Sequence, residues 1–138
     1  MNRVLSVTFS FALLLTSTHA AEKKKVASVR SWSGQVGTVP SRCGECLLNE
    51  ADLKRFWYYW AIPAPMPKID FKEEFAIFFM GHGGPHLMEM TLDGDGNLET
   101  KYVQTPTWSP RLNYLITTVK RRGIRSVNGQ PLDPKSTS

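Results

Sequence analysis

Cys43 and Cys46, in Cys43-Gly44-Glu45-Cys46, are the only two cysteines of a 138-residue chain, and their spacing is the sharpest chemical signal in it. In an exported chain such a pair is expected to close a disulfide. The loop between them is too short for a large entropic gain, so the bond would serve mainly to shape the turn before the next helix. Two alternatives stay open. His82 and His86 of Gly81-His-Gly-Gly-Pro-His86 complete a Cys2His2 set that tetrahedral zinc accepts, although the long separation of Cys46 from His82 is not that of a zinc finger. A glycine-rich loop also offers no helical face to fix the two imidazoles. The second alternative is a thiol oxidoreductase, in which the following helix N-terminus lowers a thiolate pKa. The strand-before-cysteine framework of such enzymes is missing.

Other chemistry is thinner. Asp93-Gly-Asp-Gly-Asn97 alternates oxygen-bearing residues as a calcium loop does, but the EF-hand positions for Gly and Glu hold Leu98 and Gln104. A hairpin turn is the better reading. Ser31, Ser33, Ser41 and Ser109 lack a nucleophile-elbow context, and a hydrolytic histidine would have to be His82 or His86. Asp70, Glu73 and Glu74 form a carboxylate cluster that reads as a solvated lead into a strand. Tyr58 and Tyr59 are aromatic beyond what a one-sided helix needs, which makes them candidates for partner binding.

The elements that position these residues follow from pattern. Asn49 is a good N-cap, Glu50 and Asp52 suit the positive end of the dipole, and Leu53, Phe56, Trp57 and Trp60 share one face. Pro63, Pro65 and Pro67 stop the helix, so the pattern predicts one over 50–61. Val29–Gly34 alternates as a first strand, and Gln35–Cys46 is a Gly-, Pro- and Ser-rich loop. Phe75–Met80 is nearly all apolar, as a central strand covered on both faces is. Strands at 86–92 and 98–103 flank the Asp-Gly turn; strands at 112–119 and 124–127 flank Lys120–Gly123 as a second hairpin. The expected fold is α+β: one amphipathic helix packed on an antiparallel β-meander sheet of about five or six strands.

The first twenty residues have the three parts of a cleavable signal peptide: Arg3, the apolar Val4–Leu15, and small residues at Thr18 and Ala20 before a cut ahead of Ala21. The apolar run is below the roughly 20 residues of a membrane-spanning helix. Lys23–Lys25 just beyond the cut is unfavourable for export, and an uncleaved N-terminal anchor is the alternative. Residues 21–28 then read as a flexible lead-in, 29–132 as a single domain, and 133–138 as a disordered tail. The expected location is periplasmic or extracellular, without stable membrane insertion after cleavage. The formal charge of +5 includes Arg3, which cleavage removes, and only Lys120, Arg121, Arg122 and Arg125 cluster. These read as a solvated loop, and no nucleic-acid partner is expected.

The order of motifs carries a resemblance. Ser31-Trp-Ser-Gly34, a helix ending Phe56-Trp-x-x-Trp60, Pro67-Lys-Ile-Asp-Phe71 leading to an apolar strand, Leu92–Leu98 and Gly123–Leu132 together resemble a group of small exported bacterial proteins of unknown function. More distantly they are similar to the PrcB-type domain, a protease-complex accessory subunit. The likeness runs over 29–132 and implies a non-catalytic domain that binds an extracytoplasmic protein. Gly83-Gly-Pro-His86 stands where that family has a Gly-Gly-Tyr-like segment, and the Cys43/Cys46 pair is an addition. The expectation is therefore an exported, non-enzymatic protein-binding or protease-accessory module. A zinc-binding protein using Cys43, Cys46, His82 and His86 is the first alternative, and a Cys-x-x-Cys thiol oxidoreductase the second.

Overall fold

The computed structural model describes residues 22–37, 46–84 and 86–133, with the side chain of His86 left out. The signal segment, Cys43 and Ser41 lie outside the described residues.

The helix forms where capping and periodicity place it. α1 runs Glu50–Tyr59, and the Asn49 side chain accepts a 2.8 Å hydrogen bond from the Asp52 amide while its own amide donates to the Asp52 carboxylate at 2.7 Å. That reciprocal cap satisfies an amide the helix leaves without a partner. At the other end Trp60 is the C-cap and Ala61 turns left-handed at φ 46. The amides of Ala61 and Ile62 donate to the carbonyls of Tyr58 and Trp57 at 3.1 and 3.2 Å. This is a Schellman closure, formed two residues short of the predicted end and followed at once by Pro63.

The strands divide between two sheets, where the sequence suggested one. Numbered along the chain they are β1 (Lys24–Lys25), β2 (Arg30–Val36), β3 (Cys46–Leu47), β4 (Glu74–Gly81), β5 (His86–Leu92), β6 (Asn97–Gln104), β7 (Leu112–Lys120), β8 (Ser126–Val127) and β9 (Gln130–Pro131). One sheet has the order β2-β7-β4-β3 and the other β1-β5-β6-β8-β9. All pairings are antiparallel except β6 with β8.

Strand β4 explains the three layers. Alternate residues of a strand face opposite sides. Ala76, Phe78 and Met80 join Leu112, Tyr114 and Ile116 of β7 beneath the helix residues Leu53, Phe56, Trp57 and Trp60. Phe75 and Ile77 join Val119 against Met90, Leu98 and Val127 of the second sheet. Helix, four-stranded sheet and five-stranded sheet thus stack in that order. Phe56 lies 4.2 Å from Phe78 between ring centroids, and Phe79 stacks on Tyr102 at 4.1 Å where the sheets meet. Each fully buried phenylalanine contributes about 2–3 kcal/mol through removal from water.

Two expectations change. Lys120–Gly123 does not close a hairpin: β7 and β8 belong to different sheets, so the segment carries the chain across. The short strand that follows pairs with β6, and the hairpin in this region is β8–β9, turned by Asn128 (φ 48) and Gly129 (φ 79). Lys24 and Lys25 of the expected lead-in pair with Leu92 and Thr91, extending the second sheet. The Asp93–Asn97 hairpin between β5 and β6 is as read.

Candidate functional site

The two chemically richest motifs end up apart. Cys46 pairs with Ile77 in the middle of β4, and its thiol faces the inter-sheet core. His82 lies just past the end of β4, five residues beyond Ile77, which at about 3.3 Å per residue separates them by roughly 16 Å. A zinc ion holds its ligands within about 2.3 Å, so Cys46 and His82 do not share one. Cys43 and the His86 side chain fall outside the described residues. Among those described, no three His, Cys, Asp or Glu side chains converge on a common point.

Among the described residues Cys46 has no disulfide partner; it is half-buried, and burial pushes the thiol pKa up to about 11. That is the reverse of the activation a redox cysteine requires. The helix N-terminus is near in sequence, but the strand turns the sulfur inward.

The carboxylate cluster resolves into separate structural tasks. Asp70 shapes a turn: its carbonyl accepts from the amides of Glu73 and Glu74 at 3.0 and 2.9 Å, and its carboxylate accepts from the Lys72 amide at 3.1 Å. Glu74 is buried, against the expectation of a solvated strand start, with Arg30 at 3.3 Å and Lys120 at 3.8 Å. Its burial raises the pKa, but the hydrogen bond from Arg30 and the charges of Arg30 and Lys120 outweigh it and hold the carboxyl below its ordinary range. Arg121 is also structural. Its guanidinium donates to the carbonyls of Leu48 at 2.7 Å and Glu74 at 3.2 Å, so the basic cluster is not one solvated loop. In the β5–β6 turn the Asp93 carboxylate accepts from the amides of Asp95 and Asn97 at 3.0 and 2.8 Å, which makes it a turn-former.

The glycine-rich loop after β4 is fixed to the segment after β6. The Ser109 amide donates to the His82 carbonyl at 2.8 Å, and His82 Nδ1 meets the Ser109 carbonyl at 3.1 Å. The Gly84 amide donates to the Thr105 carbonyl at 3.3 Å, and Asn113 donates to the Gly83 carbonyl. The glycines permit the approach: a Cβ on Gly84 would lie 2.0 Å from Thr105 Oγ1, and one on Gly83 would lie 2.6 Å from the Gln104 side chain. His82 therefore contacts the backbone of Ser109, whose hydroxyl accepts from the Arg111 amide at 3.2 Å. The pair is not a nucleophile and its base.

Exposed aromatics occupy two places. Tyr58 and Tyr59 project outward from α1, 84% and 71% exposed, as the helical pattern suggested. Tyr59 stands edge-on to Trp60 at 5.4 Å and lines a groove of about 450 Å³ between the helix and β3, with Cys46, Asp52 and Arg55 on its walls. The other is Trp108, 77% exposed, between two clefts at the end of β4. Sequence reading missed Trp108. Its signal was present, since a tryptophan in Thr105-Pro-Thr-Trp-Ser-Pro110 sits outside every periodic segment.

Compared with protein-family models, curated proteins and solved structures, the chain finds no match in any of the three. Among the described residues, no helix is long and apolar enough to cross a membrane.

Proposed function

We propose that this chain is an exported, non-catalytic module that binds another extracytoplasmic protein through the outer side of α1. The observation that carries this reading is the pair Tyr58 and Tyr59. The helix already fills its core face with Leu53, Phe56, Trp57 and Trp60, yet two further large aromatics stand in solvent, and Tyr59 of the pair lines a groove. Aromatic side chains are enriched where proteins meet, because they bury much area with few rotatable bonds. The Asp52–Arg55 ion pair at 3.0 Å supplies a polar margin to the same groove. In the PrcB-like form of this reading, the partner is a protease of the same compartment.

A photo-crosslinking residue in place of Tyr58, compared with one in place of Lys101 on the second sheet, tests the reading in the cell that makes the protein. A single discrete adduct from position 58, lost when Tyr59 is changed to Ser, supports it. Equal adducts from both positions, or none from position 58, would overturn it.

A further inference from the structure

Trp108 separates two adjoining clefts of about 390 and 680 Å³, and its indole lines both. In a chain where 21% of residues are charged, the walls of both clefts carry no Asp, Glu, Lys or Arg among the described residues, and their one imidazole, His82, has Nδ1 engaged with the Ser109 carbonyl. What they offer instead is neutral and hydrogen-bonding: the exposed amides of Gln35 and Gln104, the Asn113 amide, and the hydroxyls of Thr105 and Thr107, which lie 2.9 Å apart. Exposure of a tryptophan to this degree forgoes the gain of burying it.

The platform is also held in place beforehand. Bonds from Ser109 to His82 and from Gly84 to Thr105 brace the segment on either side of Trp108. The near-contact of Gly83 and Gly84 with 104–107 leaves no room for the loop to thicken. A braced, exposed aromatic face loses little conformational freedom when a ligand covers it.

We propose that the Trp108 cleft binds a neutral saccharide, with a sugar ring lying on the indole and its hydroxyls bonded by the surrounding amides and hydroxyls. A pyranose has an apolar C–H face and a rim of groups that donate and accept, which is the complement of this surface. An anionic ligand finds no Lys or Arg among the described residues of these walls, and an apolar one would strip water from amides that it cannot bond. The openings on both sides of Trp108 fit a chain of sugars better than one residue. This site lies apart from the α1 surface, so its failure leaves the protein-binding reading untouched.

The test is titration of the whole mature protein with neutral hexasaccharides of glucose (α-1,4 and β-1,4) and of N-acetylglucosamine, followed by tryptophan fluorescence and calorimetry. At least one should bind with Kd of about 1 mM or tighter. Trp108→Ala should weaken that binding tenfold or more, and Trp108→Phe should retain most of it, both at unchanged melting temperature. No binding of any hexasaccharide at about ten times that concentration would overturn the proposal. So would binding that Trp108→Ala leaves intact, or binding only of a neutral peptide of similar length.

Discussion

Gly34 on β2 faces the phenol of Tyr114 on β7 so closely that a Cβ on the glycine would lie 2.8 Å from the phenolic oxygen. The two are cross-strand neighbours on the helix side of the four-stranded sheet, and Tyr114 is 3% exposed with Trp57 edge-on at 6.5 Å. Gly34 therefore gives the tyrosine ring room to lie across the sheet beneath α1.

Gly34→Ala should push the ring toward Trp57 and destabilise the domain by about 1–3 kcal/mol, the usual cost of overpacking. Denaturant unfolding measures it. Because the clash is with one side chain, Gly34→Ala added to Tyr114→Leu should cost far less than it does alone, a coupling that a double-mutant cycle reads directly. Additive effects would show that the glycine serves backbone conformation instead.

Glu74 links acid pH to stability. Its pKa is lowered in the fold, so its contribution is complete above the unfolded value of 4.5 and is lost as pH falls through the folded one. Glu74→Gln should lower stability at neutral pH by about 1 kcal/mol, because Arg30 and Lys120 stay partly solvated when the charge is removed. The variant should also flatten the loss of stability below pH 4.5. Urea midpoints at neutral pH and below that value, for both proteins, supply the comparison.

Much of this fold was legible because its signals are local. Asn49, Asp52 and the face of Leu53, Phe56, Trp57 and Trp60 specify α1 within twelve residues, and the apolar run of β4 announces burial on both sides. The split into two sheets was not legible. A strand covered on both faces needs a second layer, but nothing local says whether a helix or another sheet supplies it. The misread turn at Lys120–Gly123 has the same origin: β8 is two residues long and its partner β6 is remote in sequence. Here a local signal was also overlooked, since Asn128-Gly129 is a stronger hairpin signature than the basic turn before it. In the sites, the Cys-x-x-Cys spacing pointed to chemistry, while burial of Cys46 depends on pairing with β4 and raises its pKa.

That burial has a measurable consequence in the thiol. With a pKa of about 11 against an ordinary 9.0, the neutral form of Cys46 is favoured by the fold. Its contribution is complete below pH 9.0 and is lost as pH rises toward 11. At mildly alkaline pH only the thiolate reacts, so iodoacetamide should label Cys46 in a Cys43→Ser variant at least tenfold more slowly than in the same chain unfolded by urea. Cys46→Ala in that background should remove part of the alkaline destabilisation. Labelling as fast as in the unfolded chain would show a thiol activated by the helix N-terminus.

The end of α1 carries the last prediction. Ala61 occupies the left-handed C′ position at φ 46, where the Cβ of an L-residue crowds the carbonyl and glycine meets no such penalty. The site is otherwise well made: Ile62 at C″ is buried beside Trp57 at C3, and both amides of the closure are bonded. Ala61→Gly should therefore stabilise the domain, by about 0.5–1 kcal/mol after the added freedom of glycine in the unfolded chain is deducted. The melting temperature should rise by roughly 2–6 °C for a domain of this size. Ala61→Val, β-branched and without easy access to positive φ, should lower it by a similar amount or more. Because residue 61 is exposed, neither change disturbs the core, and the opposite signs isolate backbone conformation as the cause. Equal loss of stability in both variants would mean that the alanine methyl matters for packing and that the Schellman geometry does not limit the helix.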